Sequence, residues 1–127
     1  MEEKTEKFII AGIHTGIADK ISDTTDESVS ELEELIKTAG GETIGILIQN
    51  KNEIEPGTYL GTGKLEELKE AVSTLGADAV VFDNELSPIQ LKNITDFLGI
   101  KVLDRSMLIL DIFALRAKSG EGKLQVE

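Results

Sequence analysis

Short apolar runs alternate with amphipathic segments along most of this chain, and this alternation limits the folds that it can adopt. The apolar runs cover residues 8–13, 42–49, 77–82 and 100–104. Between them, apolar residues recur at helical spacing in segments that glycines close. Strands separated by helices of about ten to fifteen residues form parallel sheets with right-handed crossovers. We therefore predict a three-layer, Rossmann-like α/β domain with a four-stranded parallel sheet in the order 2-1-3-4.

In this order the first helix covers one face of the sheet, and the second and third helices cover the other. Residues 26–28 supply acidic and capping groups to the first helix, and proline in the first turn favours a helix start at Ser87-Pro88. The last helix is predicted over residues 106–117. The second strand is predicted to place Ile44, Ile46 and Ile48 on one face.

A glycine-rich turn, Tyr59-Leu-Gly-Thr-Gly-Lys, leads directly into the second helix. We expect its two glycines to adopt backbone angles closed to other residues, and the helix start to present unpaired N–H groups beside Lys64. Two interpretations remain open. The glycines serve the turn and the close packing of the helix on the sheet, or they leave room for a phosphate or an RNA backbone.

The turn differs from a nucleotide-binding P-loop at two positions. Thr58 occupies the place of the first glycine, and Leu65 occupies the place of the hydroxyl that would hold magnesium. A P-loop is therefore not predicted here. Binding of ATP or GTP phosphates by the Gly61 to Lys64 turn, as an independent purine-nucleotide module, remains an alternative function.

The composition excludes several kinds of site. The chain has no cysteine and one histidine, His14, so neither a thiolate nor a histidine-rich metal site can form. No apolar run has the length of a membrane span, and the first seven residues are charged, unlike a signal sequence. These features predict a cytoplasmic protein with no membrane partner. A net charge of −11 opposes nucleic-acid binding through the overall field, so any RNA contact must be local.

Function in a parallel sheet is concentrated in the loops at the carboxyl ends of the strands. These loops hold Asp83, Glu85 and Asp104. Their oxygen atoms suit magnesium, yet Asp83 and Asp104 also stand where turns favour aspartate, so we predict no metal site. No nucleophile, base and orienting group can be assembled, and no catalytic residue is predicted. A receiver-like signalling domain with Asp83 as phosphoacceptor is a second alternative, although the acidic pair after the first strand and the fifth strand are missing.

Five phrases, in this order and spacing, resemble the N-terminal domain of the HflX family of GTPases. They are Tyr59-Leu-Gly-Thr-Gly-Lys-Leu-Glu-Glu-Leu, Phe82-Asp-Asn-Glu-Leu-Ser-Pro-Ile-Gln, Val102-Leu-Asp-Arg, Leu108-Ile-Leu-Asp-Ile-Phe-Ala-Leu-Arg-Ala and Glu121-Gly-Lys-Leu-Gln-Val-Glu. The resemblance implies a translational GTPase that associates with the large ribosomal subunit and separates the subunits under stress.

The same resemblance implies how the chain is divided. In the family, this α/β domain precedes a helical linker and a GTPase domain. We therefore expect an excised domain: a charged leader at 1–7, one α/β domain at 8–117 and the start of the connection at 118–127. GTP and magnesium are expected only in the missing GTPase domain, and this segment is predicted to bind no cofactor and to hydrolyse no GTP.

The predicted contact surface faces ribosomal RNA or the protein's own linker and GTPase domain. It comprises Tyr59, Gly61, Thr62, Gly63, Lys64, Asp83, Glu85, Ser87, Gln90, Arg105 and Arg116. In this hypothesis Tyr59 stacks on a base and Lys64 meets a phosphate, and the alternative for Tyr59 is a ring that covers the sheet edge. The last helix is apolar on more than one face, which predicts self-association of the truncated chain.

Overall fold

The computed structural model describes residues 5–14, 24–50 and 57–126, with side chains described as far as residue 117. One sheet contains all the strands described: β1 Glu6–His14, β2 Gly41–Asn50, β3 Ala79–Phe82 and β4 Lys101–Asp104. All of its pairings are parallel and its order is β2-β1-β3-β4, so the predicted topology is confirmed. The helices are α1 Asp26–Thr38, α2 Thr62–Leu75, α3 Pro88–Leu98 and α4 Arg105–Val126.

The helices form a layer on each face of the sheet. Ile9, Ala11 and Ile13 of β1 point into a core shared with α2 and α3, which we call the α2/α3 face. Phe8 and Ile10 point the other way, into a core shared with α1 and α4, the α1/α4 face. Because β1 is buried on both sides, its sequence is an apolar run without polar alternation. The predicted placement of the first three helices is confirmed.

The predicted face of β2 is wrong, because a bulge interrupts the strand. Phe8 pairs with Thr43 and Ile9 pairs with Gly45, so Ile44 is an extra residue between two consecutive rungs. A bulge reverses the side-chain alternation that follows it. Ile44 and Leu47 therefore pack on the α2/α3 face. The partners of Ile10 and Gly12, which are Ile46 and Ile48, lie on the α1/α4 face.

The helix ends follow from local side-chain chemistry. Thr25 is the N-cap of α1 and forms a reciprocal capping box with Ser28, and Asp26 and Glu27 supply the acidic first turn, as predicted for residues 26–28. Three glycines with positive φ end helices: Gly40 after α1, Gly76 after α2 and Gly99 after α3. These ends agree with the helix stops predicted from the sequence.

Helix α4 continues well beyond the predicted end at residue 117. It has 22 residues, a length of about 33 Å, whereas a four-residue strand spans about 13 Å. Gly120 and Gly122 do not end the helix, since a glycine costs a helix only about 1 kcal/mol. At the other end of the chain, β1 begins at Glu6, inside the predicted leader. The segment 14–26 is polar and rich in threonine, serine and aspartate, which predicts a loop, and residues 15–23 of it lie outside the described residues. Within the parts described, no helix has both the length and the apolarity that a membrane crossing requires.

Candidate functional site

The turn before α2 is anchored to two neighbouring elements. Gln49 Oε1, at the end of β2, accepts a hydrogen bond from the Gly61 N–H at 2.9 Å. Asn93 of α3 donates from Nδ2 to the Gly57 carbonyl, also at 2.9 Å. The start of α2 is therefore fixed relative to the sheet and to α3.

Tyr59 lies inside this turn and belongs to the core. Its relative exposure is 1%, and its ring meets Phe82 edge-on with centroids 5.4 Å apart. The buried ring leaves no face accessible for stacking on a base, so the structure favours the alternative interpretation, in which the ring covers the sheet. Tyr59 also carries the positive φ of the turn, 70°. Gly61 has φ of −66°, and Gly63 is absent from the positive-φ residues, so the expected left-handed glycines are wrong.

The first turn of α2 is open to solvent and has no side-chain cap. Gly61 is the N-cap, no side chain among the described residues accepts from the free N–H groups, and the first turn holds no acidic residue. A Cβ added at Gly63 would meet no atom within 4 Å. Close packing therefore does not explain Gly63. Lys64 is 26% exposed, and its Nζ lies 2.9 Å from Oε1 of Glu67, so part of its charge is compensated.

A second set of predicted residues surrounds a nearly buried carboxylate. The Asp83 side chain is 3% exposed, and its Oδ1 lies 2.5 Å from Nη2 of Arg105. Its Oδ2 accepts from the Ser28 hydroxyl at 2.6 Å. The same Nη2 donates to the Ser28 carbonyl at 2.8 Å. Both oxygens of Asp83 thus hold the loop after β3 to α1 and α4, which weighs against its use as a phosphoacceptor.

The other polar residues of this edge also have structural roles. Asp104 accepts from the Met107 N–H at 2.9 Å, which caps α4, and from the Leu86 N–H at 3.0 Å. Ser87 and Gln90 form the capping box of α3. The oxygens of Asp83 and Asp104 already accept hydrogen bonds from the protein. These two aspartates therefore cap a helix and anchor loops. Across the described residues, no group of three potential metal ligands comes together.

The predicted surface therefore divides into two groups. Tyr59, Asp83, Ser87, Gln90 and Arg105 hold the domain together through the contacts given above. At the carboxyl edge of the sheet Thr62, Gly63 and Glu85 face solvent, with Gly61 and Lys64 half-buried at the start of α2.

Arg116 is also exposed, but it lies far from this edge. It follows Arg105 by eleven positions, which is about 16 Å along the axis of α4. The structure thus brings the α2 turn and the β3 loop to one edge and leaves Arg116 near the other.

Sequence reasoning missed a buried polar contact beside this site. Thr24 is 2% exposed, its Oγ1 accepts from the Ile13 N–H at 3.1 Å, and it donates to Asn84 Oδ1 at 3.2 Å. A Cβ at Gly12 would lie 2.3 Å from that Oγ1, so Gly12 makes room for Thr24. A strand glycine followed by a distant threonine is too weak a pattern to have shown this contact.

A family model described as GTP-binding GTPase N-terminal matches residues 26–114. The chain belongs to that family, as the N-terminal domain of an HflX-type protein. A GTPase HflX of Lacrimispora saccharolytica is 48% identical over 127 residues, covering 100% of this chain and 29% of the relative. The GTPase HflX of Escherichia coli is 44% identical over 101 residues, covering 80% of this chain and 24% of the relative. The chain thus spans less than a third of the length of these curated HflX relatives.

Solved structures share the fold of this chain. A variant of the protein SsGBP superposes with a TM-score of 0.65 at 26% identity, covering 93% of this chain and 36% of that one. A GTP-binding protein of Sulfolobus solfataricus, in complex with GDP, gives a TM-score of 0.62 at 24% identity, covering 84% of this chain and 30% of that one. At that identity the second match shows the fold alone.

Proposed function

We propose that this chain is the non-catalytic N-terminal contact domain of a cytoplasmic GTPase that associates with the large ribosomal subunit and splits ribosomes under stress. GTP and magnesium bind to a separate domain of the same protein. Membership of the HflX family supports this proposal, as does the difference in length between the chain and its relatives. The observation that carries it is that α4 extends beyond the core of the domain with exposed apolar side chains.

Helix α4 extends past the core that it helps to form. Leu108 and Ile112 are buried against the sheet, and the described residues after Ile112 are exposed. Leu110 is 65% exposed and Phe113 is 59% exposed. A helix that leaves its own core with apolar side chains uncovered suits a contact with a neighbouring domain. We assign α4 as the rigid arm that joins this domain to the linker and the GTPase domain.

The start of α2 is the best candidate for an RNA contact. Its uncapped N–H groups favour an anion, and Lys64 lies beside them. The open space around the Cα of Gly63 allows an RNA backbone to come close to these N–H groups. Glu67 reduces the local positive charge, and the net charge of −11 repels phosphate at long range. The contact is therefore weak by itself, and the rest of the protein supplies most of the affinity.

Cosedimentation with purified large ribosomal subunits, at low and high salt, tests this division. We expect a polypeptide extended through its GTPase domain to bind, and the present chain to bind weakly at low salt only. Lys64→Glu in the extended protein should weaken binding several-fold. Lys92→Glu is the matched control, because Lys92 is an exposed helical lysine paired with an acid on α3. Equal effects of the two changes on ribosome binding would show that the α2 turn is not part of the interface.

Nucleotide titration separates this proposal from the independent nucleotide-binding module. We expect neither ATP nor GTP to bind to the present chain in the presence of magnesium. If a nucleotide binds to the chain and the Lys64→Glu variant loses this binding, the α2 turn binds nucleotide phosphates and the proposed contact function of the turn is wrong. The uncapped start of α2 is the observation that keeps this alternative worth testing.

A further inference from the structure

Strand β2 forms one outer edge of the sheet and is the longer of the two edge strands. It has ten residues, whereas β4, at the opposite edge, has four. Among the described strands, β1 alone pairs with β2. Proteins usually protect such edges with lysine, proline or a short strand. The sequence of β2 has no lysine and no proline, and its one charged residue is Glu42.

After the bulge β2 continues in regular register with β1, and residues 45–48 are apolar. Ile46 is 49% exposed, and with Ile48 and Val29 it forms the apolar wall of a cleft of about 840 Å³. Both isoleucines lie on the α1/α4 face at the margin of the sheet. This margin therefore presents backbone hydrogen-bonding groups and apolar side chains together.

We propose that β2 pairs antiparallel with β2 of a second copy of this chain, across a twofold axis at Leu47. An antiparallel pairing about a twofold axis is self-complementary, since every contact between a residue of one copy and a different residue of the other is repeated with the copies exchanged. With the axis at Leu47, Ile46 lies opposite Ile48 and Gly45 lies opposite Gln49. Residues directly opposite share a face, so the isoleucines of both copies meet on the α1/α4 face.

The charge pattern of β2 permits this pairing although the whole chain is acidic. Glu42 lies five residues from the proposed axis. The two copies of Glu42 are therefore about 34 Å apart along the paired strands. This separation is several times the Debye length of about 8 Å at physiological ionic strength. No like charges of β2 oppose each other, and the result is one continuous sheet of two domains.

Sedimentation velocity over a wide range of protein concentration tests the pairing. We expect a monomer–dimer equilibrium, and we expect Ile46→Lys to raise the dimer dissociation constant at least tenfold. Ile89→Lys is the matched control, because Ile89 is 61% exposed on α3 and the change in charge is the same. Phe113→Lys, on α4, tests the other exposed apolar surface and should leave the dimer intact.

Hydrogen exchange on the unmodified chain gives an independent reading if Ile46→Lys lowers the stability of the fold. Amides within residues 45–49 should exchange more slowly as the protein concentration rises, while those of residues 105–117 should not change. A monomer at every concentration would overturn the proposal. A dimer that Phe113→Lys disrupts and Ile46→Lys leaves unchanged would also overturn it, and would place the interface on α4.

Discussion

Arg105 and Asp83 form a nearly buried ion pair, with 2.5 Å between Nη2 and Oδ1, at the point where α4 leaves the sheet. The same guanidinium donates to the Ser28 carbonyl of α1. It also lies 3.6 Å from Oε1 of Glu31, in the next turn of that helix. One side chain therefore ties the first residue of α4 to α1 and to the loop after β3. The orientation of α4 relative to the sheet depends on this contact.

Removing the guanidinium should leave the Asp83 carboxylate buried without its charge partner. Breaking a buried pair on one side costs about 3–5 kcal/mol, and the 25% exposure of the Arg105 side chain reduces the expected loss for Arg105→Ala to about 2–3 kcal/mol. Urea denaturation of Arg105→Ala, Asp83→Ala and the double variant measures the coupling. We expect the double variant to lose less than the sum of the single losses.

The exposed pair between Lys92 and Asp96 provides the comparison for this cycle. Its side chains are 73% and 65% exposed, so Lys92→Ala should change the free energy of unfolding by less than about 1 kcal/mol. Additive losses for Arg105 and Asp83, within error, would show that their contact contributes nothing to stability.

A second prediction concerns Gly41, the first residue of β2. A Cβ there would lie 2.5 Å from the ring of Phe8, which is buried in the α1/α4 core. The ring cannot move without displacing its neighbours, so Gly41→Ala should destabilise the domain by about 1–3 kcal/mol. Thermal unfolding followed by circular dichroism measures the loss. A variant as stable as the parent would mean that Phe8 can adopt another rotamer at low cost.

The sequence predicted the architecture because each level of the pattern agreed with the others. Residues 8–13 and 79–82 are continuous apolar runs, which central strands of a parallel sheet require on both faces. Glycines past the helix ends supplied the stops. The face of β2 could not be predicted in this way. Its isoleucines alternate in the sequence, and only the pairing with β1 reveals that Ile44 is a bulge.

The polar residues of the candidate site were identified, but their roles were only partly predictable. Asp83 and Arg105 are far apart in the sequence, so no local pattern distinguishes a buried ion pair from an exposed contact surface. Ser87 and Gln90 have the spacing of a capping box, so their structural role could have been predicted from the sequence. The positive φ of Tyr59 was not predicted, because a tyrosine in that conformation is rare and turn chemistry led us to assign it to the glycines.

The third prediction separates the core role of Tyr59 from a role in binding. Truncation of a buried aromatic side chain costs about 3–5 kcal/mol, so Tyr59→Ala should lower the stability of the domain by about that amount. Phe113→Ala is the matched aromatic control. Because Phe113 is 59% exposed, its loss should stay within about 0.5 kcal/mol. Chemical denaturation compares the two, and similar losses would contradict the buried position of Tyr59.

The last prediction concerns Gly63, where stability and binding should change in opposite directions. Gly63 lies in the first turn of α2 without a positive φ, and a Cβ there meets no atom within 4 Å. Alanine should therefore stabilise the domain by about 0.5–1 kcal/mol, because glycine is the poorer helix former. If an RNA backbone approaches the free N–H groups of α2, the added methyl group should weaken ribosome cosedimentation of the extended protein several-fold. Thermal unfolding and cosedimentation of one variant measure both effects. A stabilised variant that binds ribosomes as the parent does would show that this turn contacts no phosphate.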